Sequence, residues 1–194
     1  MIRPAVLQPQ PSMLLTLVGG LVATLLVSAL LFLAPVFGFP FIDVPRLVGG
    51  ILTADPTVAF WLGFWVFFLA GVLCVAPPLA LSWAFLPGSN TGFIGALVKG
   101  LLWGLILFVV GGLLVPVCGG LNQLPDHGLR HPGLFALGAG RLGPVGMLLG
   151  HLAYGLALAL VAAMGQGIKP LDTLGWQGHG PGDTRAVALS PAAR

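Results

Sequence analysis

Four long apolar runs, at about residues 13–37, 58–86, 93–117 and 143–164, dictate what this chain can become. About 20 apolar residues in a helix cross a bilayer core of about 30 Å. Lipid supplies no partner for backbone N–H and C=O groups, so each run must satisfy its own backbone as a helix. A membrane barrel would instead show alternating segments of about ten residues, a pattern these runs lack. Composition agrees: 57% of the chain is apolar, 7% is charged, and glutamate is absent. A soluble domain devotes about a quarter of its residues to charge. A water-soluble enzyme and a disordered chain are therefore both excluded. The expected fold is all-α, a polytopic membrane protein with four transmembrane helices in an up-down bundle. Residues 1–166 form that domain, and 167–194, rich in Gly, Pro, Asp and Thr, form a flexible hydrophilic tail. The first run exceeds the roughly 7–15 apolar residues of a signal peptide, so it is expected to stay as a span.

Charge sets orientation. Arg3, Lys99, Lys169, Arg185 and Arg194 fall on one side of this topology, and Arg46, Arg130 and Arg141 on the other. The excess places both termini in the cytoplasm of a cell-membrane protein. The basic residues are scattered, so nucleic acid is not an expected partner, whereas the lipid bilayer is. Cys74 and Cys118 lie in or at the end of apolar runs and form no disulfide or C-x-x-C framework.

The connections are legible in outline. Residues 1–12 read as an extended arm. Residues 44–53, with Pro45 in a first-turn position, read as a short interfacial helix. The tight P-G-S-N-T-G turn at 87–92 makes spans two and three antiparallel neighbours. Spans one and three end alike, L-A-P-V-F-G from Leu33 and L-V-P-V-C-G from Leu114, which leaves open two pseudo-repeated helical hairpins.

Close packing over small residues holds membrane helices together. Gly20, Thr24 and Ser28 form such a stripe on span one and Ala96, Gly100 and Gly104 on span three, while span four offers Gly146 and Gly150 as a G-x-x-x-G pair and then Gly155, Ala159 and Ala163. Span two is different. It carries Phe60, Trp61, Phe64, Trp65, Phe67 and Phe68, too broad an aromatic belt for one stripe, and reads as lipid-facing or as an oligomer contact. Pro77 and Pro78 should kink it.

Two ionisable side chains fall within the spans, Lys99 and His151. Lys99, near the start of span three, is expected to snorkel to the interface. His151 lies roughly 12 Å inside span four at 1.5 Å per residue. Ser28 reaches a similar depth on span one, and Tyr154 falls level with Thr24. One polar layer is expected, pairing His151 with Ser28 and Tyr154 with Thr24. A structural layer satisfies buried polar groups. The alternative is a haem, quinone or proton-transfer role, since neutral imidazole is both ligand and proton carrier. No span holds Asp or Glu, so a carboxylate relay has nothing to work with. In the third loop, P-D-H-G-L-R-H-P offers Asp126, His127 and His131 as weak metal candidates, set among helix breakers. No hydrolase, zincin, P-loop or dinucleotide motif occurs.

G-G-L-V-A-T from Gly19, P-F-I-D-V-P-R-L-V-G from Pro40, L-V-P-V-C-G from Leu114 and G-H-L-A-Y-G from Gly150 together resemble an uncharacterised family of small four-helix integral membrane proteins. The resemblance implies an accessory membrane protein, some of whose relatives are associated with haem-copper oxidase components. Span two departs from it, carrying Trp65 and other aromatics where a His–Gly element is expected. The leading expectation is a non-enzymatic membrane protein without a cofactor, either an accessory subunit partnered by other membrane subunits or a homo-oligomer. A small-solute transporter or channel, and a haem- or quinone-binding electron-transfer protein centred on His151, remain open.

Overall fold

A computed structural model describes residues 10–90 and 92–166. Most of the arm at 1–12 and the whole tail at 167–194 lie outside the described residues, as do Arg3, Lys169, Arg185 and Arg194. Among the described residues every regular element is helical. Four helical stretches are long and apolar enough to span a membrane: Met13–Phe37, Pro56–Ser82, Phe93–Leu121 and Gly143–Met164.

The first span is α1 (Met13–Leu33), continued by a 3-10 turn at Ala34–Phe37 that Gly38 ends at φ 79°. Asp43 then caps α2 (Val44–Gly49), with Pro45 in its first turn and the Arg46 N–H donating to Asp43 Oδ1 at 3.0 Å. Asp55 opens α3 (Pro56–Leu69) in the same way, its Oδ1 accepting from Thr57 N–H at 2.8 Å and Val58 N–H at 2.9 Å. Each such cap contributes about 1 kcal/mol. Beyond α3 the second span widens into a π-helical segment, Ala70–Val75, and returns to α-helix as α4 (Ala76–Ser82). The cause lies in Pro77 and Pro78, which bring rings that crowd the preceding turn and no N–H for its carbonyls.

The third span, α5 (Phe93–Leu121), runs through Pro116 without ending there. The two L-x-P-V-x-G echoes therefore differ in conformation, the first a 3-10 turn and the second α-helix. A single turn, α6 (His127–Arg130), and a 3-10 segment, Leu134–Ala139, lead to α7 (Gly143–Met164), the fourth span.

α7 sits at the centre, packed on α5 along one flank and on α1 along the other. α1 in turn packs on the π segment and α4. The buried core is made of Ala23, Ala76, Leu79, Trp83, Ala96, Tyr154, Leu158, Ala159 and Ala163, so all four spans converge in the half nearest the turn at 87–92. In the other half α3 packs on α2 and not on α5 or α7. This corrects the expectation that spans two and three are neighbours along their length. A short turn fixes only the ends it joins. At the far end α2 stands between them, docked on α3 and tied to α5 by Asn122.

That tie is a sharp hydrogen-bond set. The Asn122 amide donates to Arg46 O at 3.0 Å and Leu47 O at 2.9 Å, carbonyls of the last turns of α2. Its Oδ1 accepts from Leu124 N–H at 2.9 Å, and Gln123 N–H donates to Gly50 O at 2.8 Å. Arg46 completes the corner with an ion pair to Asp43 at 2.7 Å and a guanidinium 5.5 Å from the Phe60 ring centre.

Candidate functional site

The intramembrane polar residues divide into two groups that face different helices. Tyr154 is buried and its hydroxyl donates to Gly71 O, within the π segment. That carbonyl lies in the segment just before the proline pair, and the phenol gives it a donor from α7. Thr24 stands beside the same phenol, and its own hydroxyl donates back to Gly20 O at 2.7 Å. A side chain added at Gly71 would strike Thr24 Oγ1, so α1, the π segment and α7 meet here with no spare volume.

His151 does not join Ser28, contrary to the expected layer. Counting depth along a helix fixes height but not azimuth. Three residues turn a helix through about 300°, so His151 is rotated by about 60° from Tyr154. Tyr154 looks towards the first and second spans, whereas His151 looks towards α5. The imidazole lies against Gly111, with the Phe108 ring edge-on at 6.3 Å between centres. Ser28 instead lines a narrow gap shared with Phe60, Phe64 and Phe67 of α3 and Asp43 and Pro45 of the first loop.

The chemistry of His151 follows from one bond. Its Nδ1 is 2.7 Å from Met147 O, one turn earlier. A carbonyl only accepts, so Nδ1 carries the proton. In the neutral ring Nε2 is then a bare acceptor. No described residue donates to Nε2, yet it is not sealed from its surroundings. Phe108 in turn packs against Phe135, with ring centres 4.9 Å apart and planes tilted by 36°. Phe135 and Ala136 hold left-handed backbone, φ 52° and 61°, unusual for residues with a side chain. Such a conformation costs of the order of 1–2 kcal/mol per residue. It drives the Phe135 ring onto Gly112, beside the histidine.

Lys99 corrects a second expectation. It is fully buried, and its Nζ turns inwards to donate to Trp83 O and Leu86 O, both at 2.6 Å, while standing 5.3 Å from the Trp83 ring centre. The carbonyls at the end of the second span have no helical partner beyond the turn, and the lysine supplies one. Sequence reasoning passed over Lys99 and Asn122 as site-forming residues. Each serves backbone carbonyls, which leave no mark in a sequence.

The small-residue stripes are placed in part as read. Gly100 and Gly104 of α5 cross Gly155 of α7, where a Cβ at Gly104 would sit 2.6 Å from His151 O. Gly20 meets Ala76 of α4. The Gly146/Gly150 pair is not a helix crossing: Gly146 faces Phe39, and a Cβ at Gly150 would meet nothing within 4 Å. In the third loop Asp126 is engaged as the cap of α6, accepting from Gly128 N–H at 2.7 Å, with His127 opening that turn and His131 just past it. Among the described residues no three His, Cys, Asp or Glu gather around a common point.

No family model, curated protein or solved structure matches this chain. The four membrane-spanning helices stand on the chain's own geometry.

Proposed function

We propose that this chain is a non-enzymatic integral membrane protein that acts as a subunit of a larger membrane assembly, built with other membrane proteins or with copies of itself. One observation carries the reading. Four of the polar side chains inside the bundle hold its own backbone, and those left without a partner, such as His151 Nε2 and Trp103 Nε1, form no series across it: Lys99 bonds Trp83 O and Leu86 O, Tyr154 Gly71 O, Thr24 Gly20 O and Asn122 α2. A route for a polar solute needs polar groups free to receive it, in series across the membrane. The outward face of α3 supports the same reading. Trp61 and Trp65 are 57% and 55% exposed and are braced edge-to-face against Phe64. Such a rigid aromatic face contacts lipid or a neighbouring helix at little entropic cost. The resemblance makes oxidase-type complexes the first partners to seek. The cell membrane is the proposed location, with both termini cytoplasmic, and a fluorescent protein fused at the C-terminus tests that orientation.

The deciding experiment is purification from native membranes in a mild detergent, with partners identified by mass spectrometry and an absorbance spectrum of the sample. A fixed-stoichiometry partner or a defined homo-oligomer is the expected result. A solitary protein that sustains solute flux in liposomes overturns the reading.

A further inference from the structure

We propose that Arg141 and the crevice beside it bind the phosphate head of an anionic phospholipid, one that carries no ammonium of its own. The inference does not depend on the subunit reading. It starts from position. The first span ends at Phe37 and the fourth begins at Gly143, and a crevice of about 460 Å³ lies between those two ends. Its walls are Pro35, Phe39 and Pro40 on one side and Ala139, Arg141 and Leu142 on the other. The ends of spans mark the depth at which hydrocarbon gives way to head groups. Phe39 is held against the first turn of α7, where a Cβ at Gly146 would stand 3.3 Å from its ring. Gly38 and Gly140 turn the chain on either rim at φ 79° and 103°, and a Cβ at either would meet nothing within 4 Å, so the rim is open.

The class of ligand follows from charge. Arg141 is exposed and, among the described residues, pairs with no carboxylate and donates to no carbonyl. A guanidinium is always charged and meets a phosphate with two parallel N–H bonds. Among the described residues no carboxylate lines the crevice. Asp43 is held by Arg46, and Asp126 caps α6. The ammonium of a zwitterionic head would find no partner here and would compete with Arg141 for the phosphate. An anionic head brings no such competitor. The other walls, Pro35, Phe39, Pro40 and Leu142, are apolar. They suit the glycerol and first methylenes of a lipid, whereas a free phosphate would lose hydration against them.

The full chain in mild detergent is titrated with dioleoyl-phosphatidylglycerol and, in parallel, with dioleoyl-phosphatidylcholine and inorganic phosphate, and bound lipid is counted by native mass spectrometry. The expected result is one saturable phosphatidylglycerol site that phosphatidylcholine fills more weakly and inorganic phosphate does not displace. Arg141→Gln should weaken that site about tenfold, the effect of losing a charged hydrogen bond. Arg130→Gln removes an equal charge from the same loop, outside the crevice, and should leave the affinity unchanged. Ala139→Trp keeps every charge but fills the crevice, and should weaken binding as well. Arg141, Arg130 and Ala139 are all exposed, so the three variants keep the fold. Equal filling by phosphatidylcholine, displacement by inorganic phosphate, unchanged affinity in Arg141→Gln or Ala139→Trp, or an equal loss in Arg130→Gln overturns the proposal.

Discussion

The two halves of this bundle solve the same problem in opposite ways. Near the turn at 87–92 all four spans meet, and the polar groups buried there donate to backbone carbonyls at or beside helix irregularities. Lys99 closes the end of the second span, and Tyr154 closes the segment that Pro77 and Pro78 widen. In the other half α3 leans on α2 rather than on α5 or α7, and the polar side chains do not meet. Ser28 faces aromatic rings there, and His151 keeps a bare acceptor. The difference teaches where to look in a membrane bundle. Polarity that bonds the bundle's own backbone is structural, and polarity left over stands apart from that bonding.

The comparison breaks most severely at the contact both halves share, where α5 crosses α7. A methyl at Gly155 would collide with the backbone of Gly100 and Gly104. Backbone cannot move aside as a side-chain tip can, so Gly155→Ala should cost about 1–3 kcal/mol or more. Loss of monodisperse protein on size-exclusion chromatography checks it, and unchanged yield and melting temperature would refute the crossing. Next comes Lys99→Met, which keeps the stem and removes the donor. Two carbonyls lose their partner at about 1–3 kcal/mol for each group left unsatisfied. Reversible unfolding in mixed micelles should show that loss. A lysine that merely reached to the interface would show almost none.

How much of this was legible in the sequence depends on which kind of partner a residue has. The four spans, α2 with Pro45 in its first turn, and the small residues Gly100, Gly104 and Gly155 as packing positions follow from apolar length, proline position and small-residue spacing, all properties of side chains, whereas which helices those glycines bring together is a tertiary fact. Lys99 and Asn122 escaped because their partners are carbonyls, present at every residue and selected only by tertiary placement. The His151–Ser28 pairing failed for a different reason. Depth was counted correctly but the rotation of about 100° per residue was not carried from Tyr154 to His151. The turn at 87–92 misled because adjacency at one end was extended over whole helices, and the tie between Asn122 and α2 has no local signal. His151 itself stood out from the sequence; that Met147 O holds its proton on Nδ1 did not.

The finest test contrasts the two hydroxyls that the sequence placed on one layer. Tyr154→Phe removes a donor from Gly71 O and leaves the ring in the core. It should cost about 0.5–1.5 kcal/mol, near the low end because interhelical bonds in membranes average about 0.6 kcal/mol. Ser28→Ala removes a half-buried hydroxyl beside Phe60, Phe64 and Phe67 and should change stability by less than about 0.5 kcal/mol. Combining each with His151→Ala separates the halves further. Ser28 and His151 share no contact, so their effects should add within about 0.5 kcal/mol. A coupling of 1 kcal/mol or more between Ser28 and His151, measured by the double-mutant cycle, would restore the single polar layer and dissolve the distinction between the two halves.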